Sequence, residues 1–188
     1  MRPGDGPALL AALRRVLRDA RIGYTGLVVR GNNSVEVRIR EGQNSGQALT
    51  KLMTDIQEFA KGDDGNGALQ AERDLLATAL EDVQAIVGAM VGALTSSSED
   101  VTNVYKVGQN TTRLLMACGD LVTAWLLLRQ ATVAQAALDA GASGRDQAFY
   151  QGKVAAAAFF ARQALPLLSA QRVVAESVDN ALMEVPEE

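Results

Sequence analysis

Apolar residues recur every three or four positions through most of the chain, which is the spacing of one buried helix face. After residue 42 this period predicts four long helices: residues 48–61, 68–94, about 100–138, and from about 147 onward with 173–183 as a continuation. The glycine-rich run 62–67 separates the first two helices. Pro166 is expected to kink or end the fourth within a few residues.

Each predicted helix carries an apolar stripe that we expect to lie in the core. In the second helix it comprises Leu69, Leu76, Leu80, Val83, Val87, Met90 and Leu94, and in the third Val104, Val107, Leu114, Leu115, Cys118, Leu121, Val122, Trp125 and Leu128. Small residues are expected at interior positions, where they permit close helix approach: Gly88, Gly92, Gly108, Gly119, Gly152 and residues 155–158. Ser96 to Glu99 match a capping box. The fold class is therefore mainly α, an antiparallel four-helix-type bundle.

The first 42 residues follow a different pattern. Residues 7–20 have helical spacing, whereas residues 24–30 and 34–40 have the character of strands. Gly31, Asn32 and Asn33 between them favour a tight hairpin. This α-β-β segment is too small to be stable alone, so it needs partner strands or a surface to lie on.

The net charge of the chain also changes near residue 42. Residues 1–42 hold eight arginines against four acidic residues, a net charge of +4, and residues 43–188 carry −8. We therefore predict two domains, 1–42 and 43–188, joined near Gly42 to Gly46.

The amino-acid composition excludes several kinds of catalytic site, metal site and covalent cross-link. The chain has no histidine and one cysteine, Cys118, which excludes a Ser-His-Asp triad, a Cys-His pair, His-ligated zinc and an intrachain disulfide. Cys118 lies in an apolar helix beside Asp120, which disfavours a thiolate, so we interpret it as a small core residue. We assign no catalytic residue and no metal ligand.

The loop 62–67 resembles a phosphate cradle or calcium loop only superficially. Asp63 and Asp64 would repel phosphate, and Leu75 falls where a calcium loop needs its closing glutamate. We interpret it as an interhelix connection.

Charged residues on the third helix form another candidate. Arg113 and Asp120 lie seven residues apart and share a face, with Trp125 nearby. Together with Lys106 and Arg129 they predict a salt bridge to a neighbouring helix, or alternatively an anion or adenine contact. Lys153 and Arg162 are expected on a solvated face.

Nucleic acid is not an expected partner. Affinity of that kind needs net positive charge and stacking aromatics, yet the chain is acidic and Tyr24 is the one aromatic residue near the basic cluster. That cluster comprises Arg14, Arg15, Arg18, Arg21, Arg30, Arg38 and Arg40.

No membrane span is expected either. Residues 83–94 are too few, and residues 114–128 contain Asp120. With no export signal and one free thiol, the expected location is the cytoplasm.

Two runs on the later helices carry a family resemblance. They are residues 104–121 (VYKVGQNTTRLLMACGDL) and residues 149–161 (FYQGKVAAAAFFA), followed by Leu165-Pro166. With residues 65–67 and 72–80, they resemble the extra C-terminal helical domain of large, mycobacterial-type acyl-CoA dehydrogenases, from about residue 46 to the end.

The resemblance implies an FAD flavoprotein that oxidises acyl-CoA thioesters to 2-enoyl-CoA, with a glutamate taking the α-proton. The family's flavin and substrate domains do not fit within 188 residues, so we expect no cofactor on this chain alone and a packing or dimerisation role. Expected partners are a second copy or an acyl-CoA dehydrogenase body. Glu72 and Glu81 are interpreted as helix-surface carboxylates, and an exposed apolar patch is predicted.

Residues 11–24 and 35–39 weakly resemble a periplasmic segment of SecD, a protein-export subunit. The alternative function is therefore a protein-interaction module related to SecD.

Overall fold

The computed structural model describes residues 26–30, 34–38, 47–62 and 67–185. The chain divides into two compact units, Met1–Asp55 and Ile56–Glu188.

In the first unit, strands β1 (Gly26–Arg30) and β2 (Ser34–Arg38) pair antiparallel, with Val28 opposite Glu36. They lie within the two predicted strands. The predicted helix over residues 7–20 lies outside the described residues, so the α-β-β arrangement and the boundary near residue 42 stay predictions.

Residues 47–62 and 67–185 contain five α-helices, and this part of the chain is mainly helical. They are α1 (Gln47–Lys61), α2 (Gln70–Ser96), α3 (Val104–Asp139), α4 (Gly144–Ala164) and α5 (Leu167–Ser177). Short 3-10 helices cover Val101–Asn103 and Ala181–Glu184.

The core of the second unit lies where α3 packs against α2 and α4, and where α5 packs against α2. Leucines from α2 and α3 fill it: Leu76 and Leu128 are fully buried. Alanines provide the close contacts, since Ala124 and Ala131 of α3 and Ala157 and Ala161 of α4 have no exposed surface. Close approach of these helices therefore rests on alanine.

The expectation of interior glycines was wrong. Gly88, Gly92, Gly108, Gly119 and Gly152 are all exposed, and a Cβ added to any of them would meet nothing within 4 Å. The predicted stripes were also too wide. Val104, Leu115 and Leu94 are 44, 69 and 56% exposed, because α2 and α3 are apolar on more than one face.

Two predicted helix ends were wrong. The serines of the expected capping box close the end of α2 instead, since Ser97 Oγ donates to the Leu94 carbonyl (2.6 Å). Asp100 caps the following turn by accepting the Thr102 N–H at 2.9 Å. The break at Pro166 was predicted, but helix does not continue through 183, because Val178 is extended (φ −61°, ψ 128°).

Among the described residues, two helices are long and apolar enough to cross a bilayer by length and composition alone: Gln70–Ser96 and Val101–Asp139. A core helix of a protein that spans no membrane can have the same length and composition, so the expectation of no membrane span stays a prediction.

Candidate functional site

Arg73 on α2 joins three helices at one end of the second unit. It is 1% exposed, and its Nη1 donates to the Phe59 carbonyl at the end of α1. Its guanidinium lies 4.1 Å from the centroid of the Phe59 ring, and Nη2 donates to Thr132 Oγ1 of α3 at 3.3 Å. A cation at a helix C-terminus stabilises the free carbonyls there, so Arg73 has a structural role.

Glu72, the neighbouring residue, is also buried rather than on the surface as expected. It is 2% exposed, and Arg162 Nη2 of α4 lies 2.5 Å from its Oε1. Arg162 is 62% exposed, so it covers the carboxylate from the solvent side. Arg162 is thus exposed, as expected, while it pairs with a buried carboxylate, and Glu81 is exposed as predicted.

Asp82 forms the third polar contact of α2. It is 4% exposed and accepts a hydrogen bond from Ser169 Oγ of α5 at 2.6 Å. Arg172 Nη1 lies 3.5 Å from its other oxygen. The pKa of Arg172 is raised, mainly by its hydrogen bond and proximity to Glu176 and further by Asp82.

Arg113 contacts a neighbouring helix, but not through the predicted salt bridge. Its Nη1 donates to Gln171 Oε1 of α5 at 2.5 Å, and its Nε donates to Asn110 Oδ1 at 3.0 Å. Asn110 is buried and donates to the Ala175 carbonyl at 3.4 Å. Asp120 lines the cleft beside Arg113. The arrangement holds α3 against α5.

A groove of about 440 Å³ runs between α3 and α4. Its lining residues are Leu126, Arg129, Gln130, Val133, Ala134, Phe149, Tyr150 and Lys153. Lys153 Nζ donates to Gln130 Oε1 at 3.2 Å and lies 5.6 Å from the Phe149 ring centroid. Arg129 lies 5.0 Å from the ring centroid of Trp125, on its own helix.

These contacts test whether the groove fits a flavin or an anion. Both cations at its edge stack on aromatic rings of the chain itself, and Lys153 is already hydrogen-bonded to Gln130. The remaining wall is apolar and open to solvent. The groove residues therefore do not fit the diphosphate of FAD. Of the residues named for an adenine or anion contact, Arg129 lines this groove, Arg113 and Asp120 line the cleft beside α5, and Lys106 lines a third cleft, so the structure does not bring them into one site.

Cys118 is half-buried on α3, and burial raises the pKa of its thiol. The thiol form is thus favoured at neutral pH, in keeping with the interpretation of a packing residue. Asp100 has the opposite shift: hydrogen bonds from the Thr102 hydroxyl and N–H hold its carboxyl pKa below the usual range. Among the described residues, no group of three His, Cys, Asp or Glu side chains could hold a metal ion.

Several sequence-based candidates lie outside the described residues: Asp63, Asp64, Arg14, Arg15, Arg18, Arg21, Arg40, Tyr24 and, of the SecD-like residues, 11–24 and 39. Arg30 and Arg38 lie on β1 and β2.

Large apolar side chains are exposed on several helices. Leu115, Met116 and Val133 of α3, Phe149 and Phe159 of α4, and Leu167 and Val173 of α5 are each 59–69% exposed. The predicted exposed apolar surface is present, although it extends over several faces.

Comparison with known proteins accounts for this helical unit. Residues 52–186 match the family model described as acetyl-CoA dehydrogenase C-terminal like. Over 145 residues, 77% of this chain, the sequence is 52% identical to the broad-specificity linear acyl-CoA dehydrogenase FadE5 of Mycobacterium tuberculosis. The chain spans about a quarter (24%) of that relative's length. The chain belongs to the acetyl-CoA dehydrogenase C-terminal-like family.

Proposed function

We propose that the chain serves as the accessory C-terminal helical domain of a cytoplasmic, FAD-dependent acyl-CoA dehydrogenase of fatty-acid β-oxidation. Its role is to supply packing and dimerisation surface, while FAD, acyl-CoA and the catalytic base belong to the rest of such an enzyme. The mycobacterial relative is named for acyl-CoA dehydrogenase activity, and this chain matches only a quarter of it.

The observation that carries the proposal is the outward exposure of large apolar side chains, on α3 and α4 above all. Surfaces of this kind mark contacts with other proteins. By contrast, the buried polar groups of α2 are used within the fold: Arg73 and Asp82 each bond to another helix, and Glu72 pairs with Arg162. The domain therefore has exposed apolar surface for protein contacts, whereas its buried polar groups on α2 are engaged in contacts between helices.

The arrangement of the domain belongs to the same proposal. We infer an antiparallel helix bundle from the short connections between α2, α3 and α4. We place a domain boundary near residue 42, on the N-terminal side of the family match that starts at residue 52.

The test compares the chain alone with the chain added to an acyl-CoA dehydrogenase body. The body is the mycobacterial relative expressed without the segment that matches this chain. We expect the purified 188-residue chain to show no flavin absorbance and no oxidation of octanoyl-CoA, and to form a stable complex with the body in size-exclusion chromatography. The relative's own matching segment is the positive control.

Flavin absorbance together with acyl-CoA oxidation by the chain alone would contradict the non-catalytic role. Failure to bind the body, when the control segment binds it, would contradict the accessory role.

A further inference from the structure

One face of α3 points away from the core along nearly its whole length. We call it the outward stripe: Val104, Gly108, Leu115, Gly119, Leu126 and Val133, all exposed. The buried residues of α3, among them Ala117, Ala124 and Leu128, lie on the opposite side of the helix. Val104, Leu115 and Leu126 recur every 11 residues, close to three full turns, as do Gly108 and Gly119, and Val133 follows Leu126 by about two turns, so the stripe stays on one side over about 45 Å.

Large and small residues alternate on the stripe from Val104 to Leu126. Leu115 and Leu126 are 69 and 39% exposed, whereas Gly108 and Gly119 leave open space where a Cβ would be. A glycine facing solvent in a helix interior costs stability relative to alanine. The described residues give no reason for this cost, because none of them would lie within 4 Å of a Cβ added at either glycine.

The order of these residues is self-complementary. If a second α3 lies antiparallel to the first, with a two-fold axis beside Ala117, Leu115 of one protomer faces Gly119 of the other, and Gly108 faces Leu126. Each leucine then projects over a glycine, and the symmetry repeats each contact. This is the condition for a closed two-fold interface, in which one patch pairs with itself.

The same antiparallel pairing places residues of the second copy at the groove between α3 and α4. In this register Val104 and Tyr105 of one protomer, both exposed, lie opposite Gln130 and Arg129 of the other. They come next to Val133 and Phe149, which are 69 and 59% exposed. Arg129 and Lys153 are the charged side chains at that edge, and every residue of the partner's outward stripe is uncharged, so the stripe places no like charge beside them.

We propose that two copies of this chain associate through the outward stripes of their α3 helices, antiparallel about Ala117. This deepens the dimerisation role proposed above by naming the surface and the partner. It rests on that role only in part, because self-association is measured without flavin, substrate or an enzyme body.

The first experiment measures the association of the 188-residue chain by sedimentation equilibrium. We expect a monomer–dimer equilibrium that Leu115→Glu weakens by about tenfold or more, since it places two carboxylates near the axis and four residues apart. Leu167→Glu is the matched control, because Leu167 is 61% exposed on α5 and outside the stripe. It should leave the dimer unchanged.

A second pair of variants tests the size complementarity. Gly119→Leu fills open space in the protomer but collides with Leu115 of the partner. We expect it to keep or raise the thermal midpoint at concentrations where the chain is monomeric, and to weaken the dimer. Gly92→Leu on α2, also in open space and exposed, should leave the dimer unchanged.

Cross-linking fixes the orientation. In a Cys118→Ala background, Val104→Cys and Gln130→Cys chains are mixed and treated with a short bismaleimide. We expect efficient cross-links between the two variants. Val133→Cys alone should not cross-link, because the antiparallel register separates its two copies by about 48 Å along the helices.

A chain that stays monomeric at all concentrations overturns the proposal, even where it binds the enzyme body. So does a dimer indifferent to Leu115→Glu, or one that cross-links through Val133→Cys. The accessory role tested above fails by a different readout, the loss of binding to the body.

Discussion

The two halves of α2 differ in how they are packed. All eight buried residues of the helix lie in its first part, residues 70–86, and none lies in residues 87–96. α3 shows the reverse, since seven of its eight buried residues lie in residues 117–134 and Asn110 is the exception. The second unit thus has a densely packed region and a thinly packed one.

The dense and thin regions also differ in the burial of their polar and apolar side chains. In the dense region, Arg73 and Asp82 are buried and bonded to other helices. In the thin region, Val91 and Leu94 are both 56% exposed, and a cleft of about 300 Å³ lies between the end of α2, the start of α3 and α5. The difference shows that the second unit is stabilised mainly by its dense region, whereas the end of α2 contributes little buried apolar surface.

The largest expected effect compares two leucines of one helix. Leu80→Ala should lower the free energy of unfolding by about 3 kcal/mol, because it leaves a cavity at a side chain that is 3% exposed. Leu94→Ala, in the thin region, should cost less than about 0.5 kcal/mol. Urea unfolding followed by far-UV circular dichroism measures both, at concentrations where the chain is monomeric. Similar losses for the two variants would remove the distinction between the regions.

A smaller effect tests the polar contact between α2 and α5. Asp82→Asn should cost about 1–2 kcal/mol of unfolding free energy, because it removes the charge from the hydrogen bond that Ser169 donates. The neighbouring Glu81→Gln is the control, since Glu81 is exposed, and should change stability by less than about 0.5 kcal/mol.

A double-mutant cycle sharpens this measurement. Asp82→Asn and Ser169→Ala should couple by about 1 kcal/mol, because the residues are in direct contact. Additive losses would mean that the contact contributes nothing specific, and that the dense region is stabilised by its apolar core alone.

Helix positions were largely predictable because they depend on local pattern. The predicted helix 48–61 starts one residue after α1 does, and the predicted 68–94 is offset by two residues from α2. The end of the predicted fourth helix near Pro166 was predictable because proline has no backbone N–H to donate within a helix. The continuation through 173–183 failed for a local and a tertiary reason: Asp179 Oδ1 accepts the Ala181 N–H, and Asn180 donates to Thr102, 78 residues away.

Which face of each helix is buried was not predictable from the period. α3 has apolar residues on two opposite sides, and both sides show helical spacing. Leu115 lies on the exposed side and Leu128 on the buried side, and the spacing alone does not distinguish them. The pairing of Glu72 with Arg162 and of Arg113 with Gln171 joins residues far apart in sequence, and periodicity carries no information on such contacts. The family resemblance, carried by residues 104–121 and 149–161, was confirmed by the match over 52–186.

The smallest expected effect locates the border between the two regions. Cys118 is half-buried where the dense part of α3 begins, and burial raises the pKa of its thiol. The folded chain therefore holds this proton more tightly than the unfolded chain. The resulting stability is present below the unfolded thiol pKa, near 8.5, and is lost as pH rises through the folded value. We expect the stability difference between the native chain and Cys118→Ala to shrink as pH rises above about 8.5. Alkylation of Cys118 at pH 8 should be slower in the folded chain than in urea. A constant difference, with equal alkylation rates, would place Cys118 in the thin region.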